Sequence, residues 1–183
     1  MHSNLGQSII DDSQDKWIAY LNAADAAGIP PVTNPEILKS LKQVFAFSDF
    51  VAAGCTRDPN LPGDLIDSGD ITRRYPGDEY HLKLKPLLSG ATDEETLGRL
   101  LRRYRRRELV RIAWRDLSGW ADLSETVSDL SAFADACLEH ALNILHQWQC
   151  RGYGTPTAAD GSKQHLVILG LGKLGARELN FSS

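Results

Sequence analysis

The sequence lacks the features that would tie it to a membrane or to nucleic acid. No segment approaches the ~20 consecutive apolar residues that cross a bilayer, and the N-terminus has neither a basic leader nor the apolar core of a secretion signal. We therefore expect a cytoplasmic protein with no membrane partner. Positive charge is not in excess, because 20 lysines and arginines face 24 aspartates and glutamates. This balance gives no overall attraction to nucleic acid, so we predict no nucleic-acid partner.

Cysteine is also scarce. The three cysteines, Cys55, Cys137 and Cys150, are scattered and odd in number, which argues against a disulfide framework and indicates reduced thiols. Cys137 lies one helical turn from His140, and Cys150 lies one turn from His146. However, Cys137 and Cys150 fall on roughly opposite faces of one helix, so the four groups cannot converge on one ion. We predict no metal site in this chain.

Helical periodicity is what the sequence does contain. At 183 residues with 42% hydrophobic content, the chain can bury the core of one domain, or of one domain and part of a second. Apolar spacing predicts helices around Trp17, after a cap at Asn34, from Asp93 to about Leu117, and after a cap at Asp122. The stretch from Thr56 to Gly90 is dense in proline, glycine and aspartate, and we interpret it as a loop with short helical turns.

The last part of the chain differs from the rest. His165–Leu169 is short, branched and apolar, which predicts a β-strand. Nothing before it resembles a partner strand, and an unpaired buried strand is costly, so we expect its sheet in residues outside this sequence. The fold prediction is therefore mainly α: a helical region over residues 1–160, then the first strand and turn of a truncated α/β domain over residues 161–183.

The helical region contains a predicted helix that is rich in arginine. Its apolar stripe changes sides after Arg107, so we expect the helix either to be covered on two sides or to bend. Burial would require Glu108 and Arg111, one turn apart, to pair with each other. One interpretation is a solvated basic face with a structural ion pair. The other places Arg111 or Arg115 at the rim of a phosphate-binding cleft.

Three glycines, Gly170, Gly172 and Gly175, spell G-x-G-x-x-G between the predicted strand and a helix-like segment. This pattern alone is compatible with a dinucleotide-binding oxidoreductase, with a phosphate-binding turn, or with a bend that binds nothing. It is not a P-loop, because Leu174 rather than a hydroxyl residue follows Lys173. A lysine among free backbone donors favours an anion.

The longer segment GLGKLGARELNFSS resembles the signature of the glutamine synthetase adenylyltransferase family, G-x-G-K-L-G-x-x-E-L-N-x-S-S-D-I-D. The stretches FSDFVA, RRYRRRELVRIAWRDL and DLSETVSDLSAFADACL also resemble the helical part that precedes the first catalytic domain in that family. The resemblance extends from about Pro35 onward. The positions that match the signature are Gly170, Gly172, Lys173, Leu174, Gly175, Glu178, Leu179, Asn180, Ser182 and Ser183.

The resemblance implies a nucleotidyltransferase of the polymerase-beta type, with a glycine turn that seats nucleotide phosphates and an Asp-x-Asp pair that binds Mg²⁺. The acidic pair would follow Ser183, so we expect no catalytic residue or metal ligand within the chain and no activity from it alone. Lys173 departs from the Gly or Ser usual after the first glycine of the turn. The implied cofactor-binding residues are Gly170, Gly172, Lys173, Gly175, Ser182 and Ser183.

Function and partners follow from the same resemblance. The family adds AMP to a tyrosine of glutamine synthetase and removes it, which regulates nitrogen assimilation. The first copy of the transferase domain is linked to removal, in which phosphate attacks the adenylylated tyrosine and releases ADP, so the chain resembles this half. ATP or ADP and Mg²⁺ are the implied cofactors, and glutamine synthetase and the PII signal protein the implied partners. A non-catalytic helical module that docks through the arginine-rich helix is the alternative.

Overall fold

The structure is a computed structural model that describes the backbone of residues 2–181 and the side chains of residues 12–181. It is mainly helical, as predicted, and no strand forms within residues 2–181. None of the helices in this described part is long and apolar enough to cross a membrane. The helices are α1 His2–Ala26, α2 Pro35–Phe47, α3 Asp49–Arg57, α4 Leu61–Asp67, α5 Glu79–Leu88, α6 Glu94–Leu117, α7 Leu123–Tyr153 and α8 Gly172–Gly175.

Side-chain caps determine where several helices begin. The Asn34 side chain accepts hydrogen bonds from the backbone N–H groups of Glu36 and Ile37, at 3.0 and 3.2 Å, ahead of α2. Asp93 accepts from the N–H of Thr96 at 2.7 Å ahead of α6, and Asp122 caps α7 in the same way. These bonds satisfy donors that the first helical turn leaves without partners. The three starts predicted from the sequence are confirmed.

The region predicted as a loop with short turns is more helical than expected. It contains α4 and the ten-residue α5. Tyr80, Leu84 and Leu88 form a stripe of one-turn spacing along α5, and all three are buried. Pro86 lies within α5. The loop prediction was wrong here because it gave more weight to the density of proline and glycine than to the apolar stripe of α5, which tertiary packing stabilises.

The chain forms two compact units, and the first comprises residues up to Arg74 together with Arg106–Thr126. Its core is built from α1, α2, α3, α4 and the second half of α6. Trp17, Tyr20 and Phe45 pack as an aromatic cluster with ring centroids 5.4–5.8 Å apart. Trp114, which is fully buried, donates from its indole nitrogen to the Ser40 hydroxyl at 3.0 Å. This bond lets a large polar aromatic fill the core at no hydrogen-bonding loss.

The second unit comprises Tyr75–Arg105 and the residues from Val127 onward. It contains α5, the first half of α6, most of α7 and the terminal turn. Tyr80 packs edge-on against Tyr75 and Phe133, with ring centroids 5.2 and 5.8 Å away. Tyr104 completes the cluster by contacting Phe133. The unit therefore has a core of its own.

The predicted strand His165–Leu169 does not form in the structure. In the described part of the chain, β-pairing is limited to an isolated bridge between Thr157 and Lys163. Val167 and Leu169 are 81% and 83% exposed. A strand requires a hydrogen-bonded neighbour, and residues 2–181 provide none to this segment.

Candidate functional site

The glycine turn follows the apolar segment of the second unit, at α8. Gly172 has a φ of +59°, a conformation that residues with a Cβ rarely adopt. Gly175 lies against Gly170, and a Cβ added at Gly175 would overlap the carbonyl oxygen of Gly170. Both glycines are therefore required by the backbone. The spacing of the motif has a physical cause even before any ligand is considered.

The turn ends in a Schellman motif. The N–H of Arg177 donates to the carbonyl of Leu174 at 3.1 Å, and the N–H of Glu178 donates to the carbonyl of Lys173 at 2.7 Å. Arg177 occupies the position that is usually glycine, with a φ of +59°. These two bonds fix the C-terminal end of α8.

An open cavity of about 660 Å³ lies beside the turn in the second unit. One wall is the apolar segment Leu166–Ile168 with Gly170, Leu174 and Gly175 of the turn. The opposite wall is formed by α5 and α7. The polar groups that line the cavity are His81, Asp135, Glu139, Asn143 and Arg177. Its lining is therefore mixed in charge, with two carboxylates, one guanidinium and one imidazole.

Two polar contacts hold the end of the turn on α7. A guanidinium nitrogen of Arg177 lies 3.3 Å from a carboxylate oxygen of Asp135. The backbone N–H of Leu179 donates to the hydroxyl of Ser131, also at 3.3 Å. Asp135 and Ser131 lie four residues apart on α7, so one helix face positions the turn.

His81, which lines the cavity, contacts a second histidine, His140. The rings of His81 and His140 have centroids 5.4 Å apart, and His81 Nδ1 is 4.0 Å from a carboxylate oxygen of Glu139. Burial lowers the pKa of His140, and the neighbouring His81 lowers it further. Both effects favour the neutral form of His140.

The structure brings together part of the predicted site. Gly170, Gly172, Lys173 and Gly175 lie in one exposed turn. Ser182 and Ser183 lie outside the described residues. Asp135 and Arg177 were missed by the sequence analysis. They are 42 residues apart, and no local spacing links them, so only the packing of the turn on α7 identifies the pair.

In contrast to the exposed glycine turn, the second half of the arginine-rich helix α6 is largely buried. It is unbroken from Glu94 to Leu117; its first half belongs to the second unit, and its second half is enclosed in the first unit, as the covered alternative predicts. Arg111 is fully buried and donates to the backbone carbonyls of Asp70 and Arg73, at 3.0 and 3.1 Å. Its Nη1 also lies 3.9 Å from a carboxylate oxygen of Glu108. The predicted Glu108–Arg111 pair is thus confirmed.

Arg115 is bound in a similar way. Its guanidinium donates to the carboxylate of Glu125 at 2.7 Å and to the carbonyls of Ile71 and Trp120, at 3.0 and 3.2 Å. With Arg111 and Arg115 enclosed and bonded to protein, neither lies at the rim of a cleft. The interpretation of these two residues as phosphate ligands is wrong, and they instead satisfy buried carbonyls of the segment that follows α4.

Arg107 is a third arginine of this network that the sequence analysis passed over. It donates to the carboxylates of Asp64, Asp70 and Glu108 at 2.6, 2.7 and 2.5 Å, and to the hydroxyl of Ser68 at 3.0 Å. Glu108 is fully enclosed, and burial raises the pKa of its carboxyl group, against the effect of Arg107 and Arg111. Glu108 is the next residue on α6, but Asp64 and Asp70 lie 43 and 37 residues before Arg107, so sequence spacing gave no signal for these two acids.

The structure thus defines a class of protein: a mainly helical chain with a glycine turn beside an open cavity. Residues 38–183 match the protein-family profile described as glutamate-ammonia ligase adenylyltransferase. The chain is 45% identical over 165 residues to the bifunctional glutamine synthetase adenylyltransferase/adenylyl-removing enzyme of Nitrosococcus oceani, covering 90% of this chain and 17% of the relative. Enzymes of the same name from Shewanella loihica and Pseudomonas aeruginosa are 46% and 43% identical, covering 81% and 91% of this chain.

The chain therefore belongs to the glutamate-ammonia ligase adenylyltransferase family. It spans only about 15–17% of the length of these curated relatives. The family is one of adenylyl transferases, and the relatives carry two activities in one polypeptide, as their name states.

Proposed function

We propose that the chain is part of an enzyme that transfers adenylyl groups to and from glutamine synthetase, and that it belongs to the half that removes them. The observation that carries the transferase part of this proposal is the match of residues 38–183, which include the glycine turn, to the glutamate-ammonia ligase adenylyltransferase family. The assignment to the removing half rests on the resemblance of this stretch to the region around the first transferase domain of the family. In this proposal inorganic phosphate attacks the adenylyl phosphorus on a tyrosine of glutamine synthetase. The bond from phosphorus to the tyrosine oxygen breaks, and ADP and free tyrosine result.

The glycine turn is the proposed contact for phosphate oxygens. It is exposed, it has no Cβ at Gly170, Gly172 or Gly175, and Lys173 adds a positive charge. Backbone donors without a side chain in front of them can approach an anion closely. The turn therefore fits a nucleotide phosphate or inorganic phosphate. We assign residues 161–183 to the start of the nucleotidyltransferase domain and residues 1–160 to the helical region that precedes it. We also propose that Ser182 and Ser183 contribute to the phosphate-binding site of the glycine turn.

Mg²⁺ does not fit the residues that the structure describes. Within residues 12–181, no group of three His, Cys, Asp or Glu side chains is placed to hold a metal ion. Asp135 and Glu139 line the cavity, but they are only two carboxylates, and one of them is paired with Arg177. We propose that the carboxylates for the metal come from the longer enzyme, downstream of the glycine turn.

The test is a chain extended past Ser183 in its natural gene and supplied with adenylylated glutamine synthetase, inorganic phosphate and Mg²⁺. We expect ADP to be released, and we expect the 183-residue chain to release none. Gly175→Val in the extended chain should abolish release, because its side chain cannot fit against Gly170. Leu123→Ala, at a position 75% exposed, is the matched control and should leave the rate unchanged.

Two outcomes would correct the proposal in different ways. If the extended chain transfers AMP from ATP to glutamine synthetase but releases no ADP, the assignment to the adenylyl-removing half is wrong. If it does neither, while remaining folded, then the enzymatic proposal fails for this part of the polypeptide. Co-purification with glutamine synthetase and with PII would test the proposed partners, and cell fractionation the proposed cytoplasmic location.

A further inference from the structure

Arg177 has a backbone conformation that its residue type does not favour. Among the residues that the structure describes, it is the one non-glycine residue with a positive φ. It occupies the position after α8 where glycine is the usual choice, because a Cβ in the left-handed region carries a conformational cost. Glycine at this position would form the same two backbone bonds without that cost. The arginine side chain must therefore make an interaction that offsets the conformational cost of the backbone.

Its ion pair with Asp135 is not a sufficient reason. The Arg177 and Asp135 side chains are 68% and 44% exposed, and their closest nitrogen and oxygen are 3.3 Å apart. Exposed pairs of this kind contribute little to stability, because water screens the charges and two side chains lose freedom. Stability alone does not explain the arginine. What distinguishes the side chain is its location, since it lines the same cavity as Gly170 and Gly175.

We propose that Arg177 is a phosphate-binding residue of the glycine-turn site, and that Asp135 holds its guanidinium over the cavity until an anion displaces the carboxylate. This inference rests on the proposed function for the identity of the anion as inorganic phosphate or the phosphate of a nucleotide. A guanidinium can hold two phosphate oxygens through parallel hydrogen bonds, which a lysine cannot. Lys173 at one end of α8 and Arg177 at the other then contribute cations to the same turn.

The displacement step predicts opposite effects for the two partners. Arg177→Gly removes the guanidinium and leaves a residue that suits the backbone, so phosphate binding should weaken about tenfold, as for the loss of one charge-assisted hydrogen-bonded contact. Asp135→Asn keeps the shape of the side chain and removes the competing charge, so phosphate binding should strengthen several-fold. In the Arg177→Gly background, Asp135→Asn should have a smaller effect, because the competition for the guanidinium is gone and only the repulsion between the Asp135 carboxylate and the anion is relieved.

The experiment is calorimetric titration of the 183-residue chain and these variants with inorganic phosphate, with ADP and with adenosine. Arg103→Ala is the matched control, because Arg103 is an exposed arginine of the same unit and its loss changes the net charge equally. We expect wild-type binding of phosphate and ADP but not adenosine, with Arg103→Ala unchanged. Tighter binding of ADP than of phosphate would identify the nucleotide as the source of the anion, and equal binding would identify inorganic phosphate.

A purely structural role gives a different result. In that case Arg177→Gly would lower the thermal midpoint and leave anion binding in the folded chain unchanged. Our inference requires the reverse, an unchanged or higher midpoint with weaker binding, because glycine relieves the backbone. Equal anion affinities of the wild type and Arg177→Gly would overturn it, as would no anion binding by the wild type at millimolar concentrations. If binding depends on Arg177 but the extended chain shows no ADP release, then only the proposed function fails.

Discussion

Replacing Arg111 with methionine should destabilise the first unit more than almost any other single change in it. The guanidinium is fully enclosed, and it serves the carbonyls of Asp70 and Arg73 as well as the Glu108 carboxylate. Methionine fills a similar volume with no donor, so both carbonyls lose this donor and Glu108 loses one of its two cationic neighbours. Removing one partner of a buried ion pair costs about 3–5 kcal/mol. For a chain of this length that corresponds to a fall of roughly 6–20 °C in thermal midpoint.

Urea unfolding followed by circular dichroism measures this cost directly. The matched control is Arg103→Met on the same helix, where an exposed arginine should change the free energy of unfolding by no more than about 0.5 kcal/mol. Glu108→Gln supplies the second arm. The double variant Arg111→Met/Glu108→Gln should be less destabilised than the two single effects together, by about 0.5–3 kcal/mol, because the uncompensated buried charge is then absent.

The result that would refute the reasoning is a loss below about 1 kcal/mol for Arg111→Met with an unchanged denaturant slope, since surface substitutions fall in that range. It would mean that water reaches the Asp70 and Arg73 carbonyls once the guanidinium is gone. Additive single effects of Arg111→Met and Glu108→Gln would likewise show that the two charges do not depend on each other.

Three further predictions test other parts of the structure. Asn34→Ala removes the cap of α2 and should cost about 1 kcal/mol of unfolding free energy, measured by urea titration. Burial raises the pKa of the Cys55 thiol, so a thiol reagent should label it in the native chain far more slowly than Cys150, and unfolding should abolish the difference. Burial lowers the pKa of His140 below its ordinary value of 6.5, so the unfolded chain binds the proton more readily and stability should be lost as the pH falls below about 6.5. His140→Gln should reduce that loss in unfolding measured between pH 7.5 and 5.5, whereas identical pH profiles would contradict it.

Local patterns predicted the starts of α2, α6 and α7. Asn34, Asp93 and Asp122 each act on donors two or three residues away, so the sequence alone contains both partners. The pairing of Glu108 with Arg111 was predictable for the same reason, because the two lie one turn apart on α6. The family resemblance rested on a contiguous signature around the glycine turn, and the match across residues 38–183 confirms it.

Contacts between distant segments were not predictable in this way. Asp135 reaches Arg177 across 42 residues, and Arg107 reaches Asp64 across 43. No periodicity encodes such pairs, since they depend on how elements pack. The strand prediction for His165–Leu169 failed because a local pattern does not show whether a neighbouring strand is available. An apolar, branched pentapeptide has the composition of a strand, but strand formation depends on a neighbouring strand, and residues 2–181 provide none.

The buried arginines of α6 show why charge counts in a sequence are ambiguous. The segment that follows α4 has irregular backbone, and its carbonyls at Asp70, Ile71 and Arg73 accept hydrogen bonds from Arg111 and Arg115. A guanidinium offers five donors in a fixed plane and can serve two carbonyls and a carboxylate at once, as Arg115 does. A lysine has three donors on one atom and cannot span these positions. The arginines on the enclosed side of α6 are therefore parts of the core, while those on its exposed side, such as Arg103, remain solvated. Residue type alone does not distinguish these two roles.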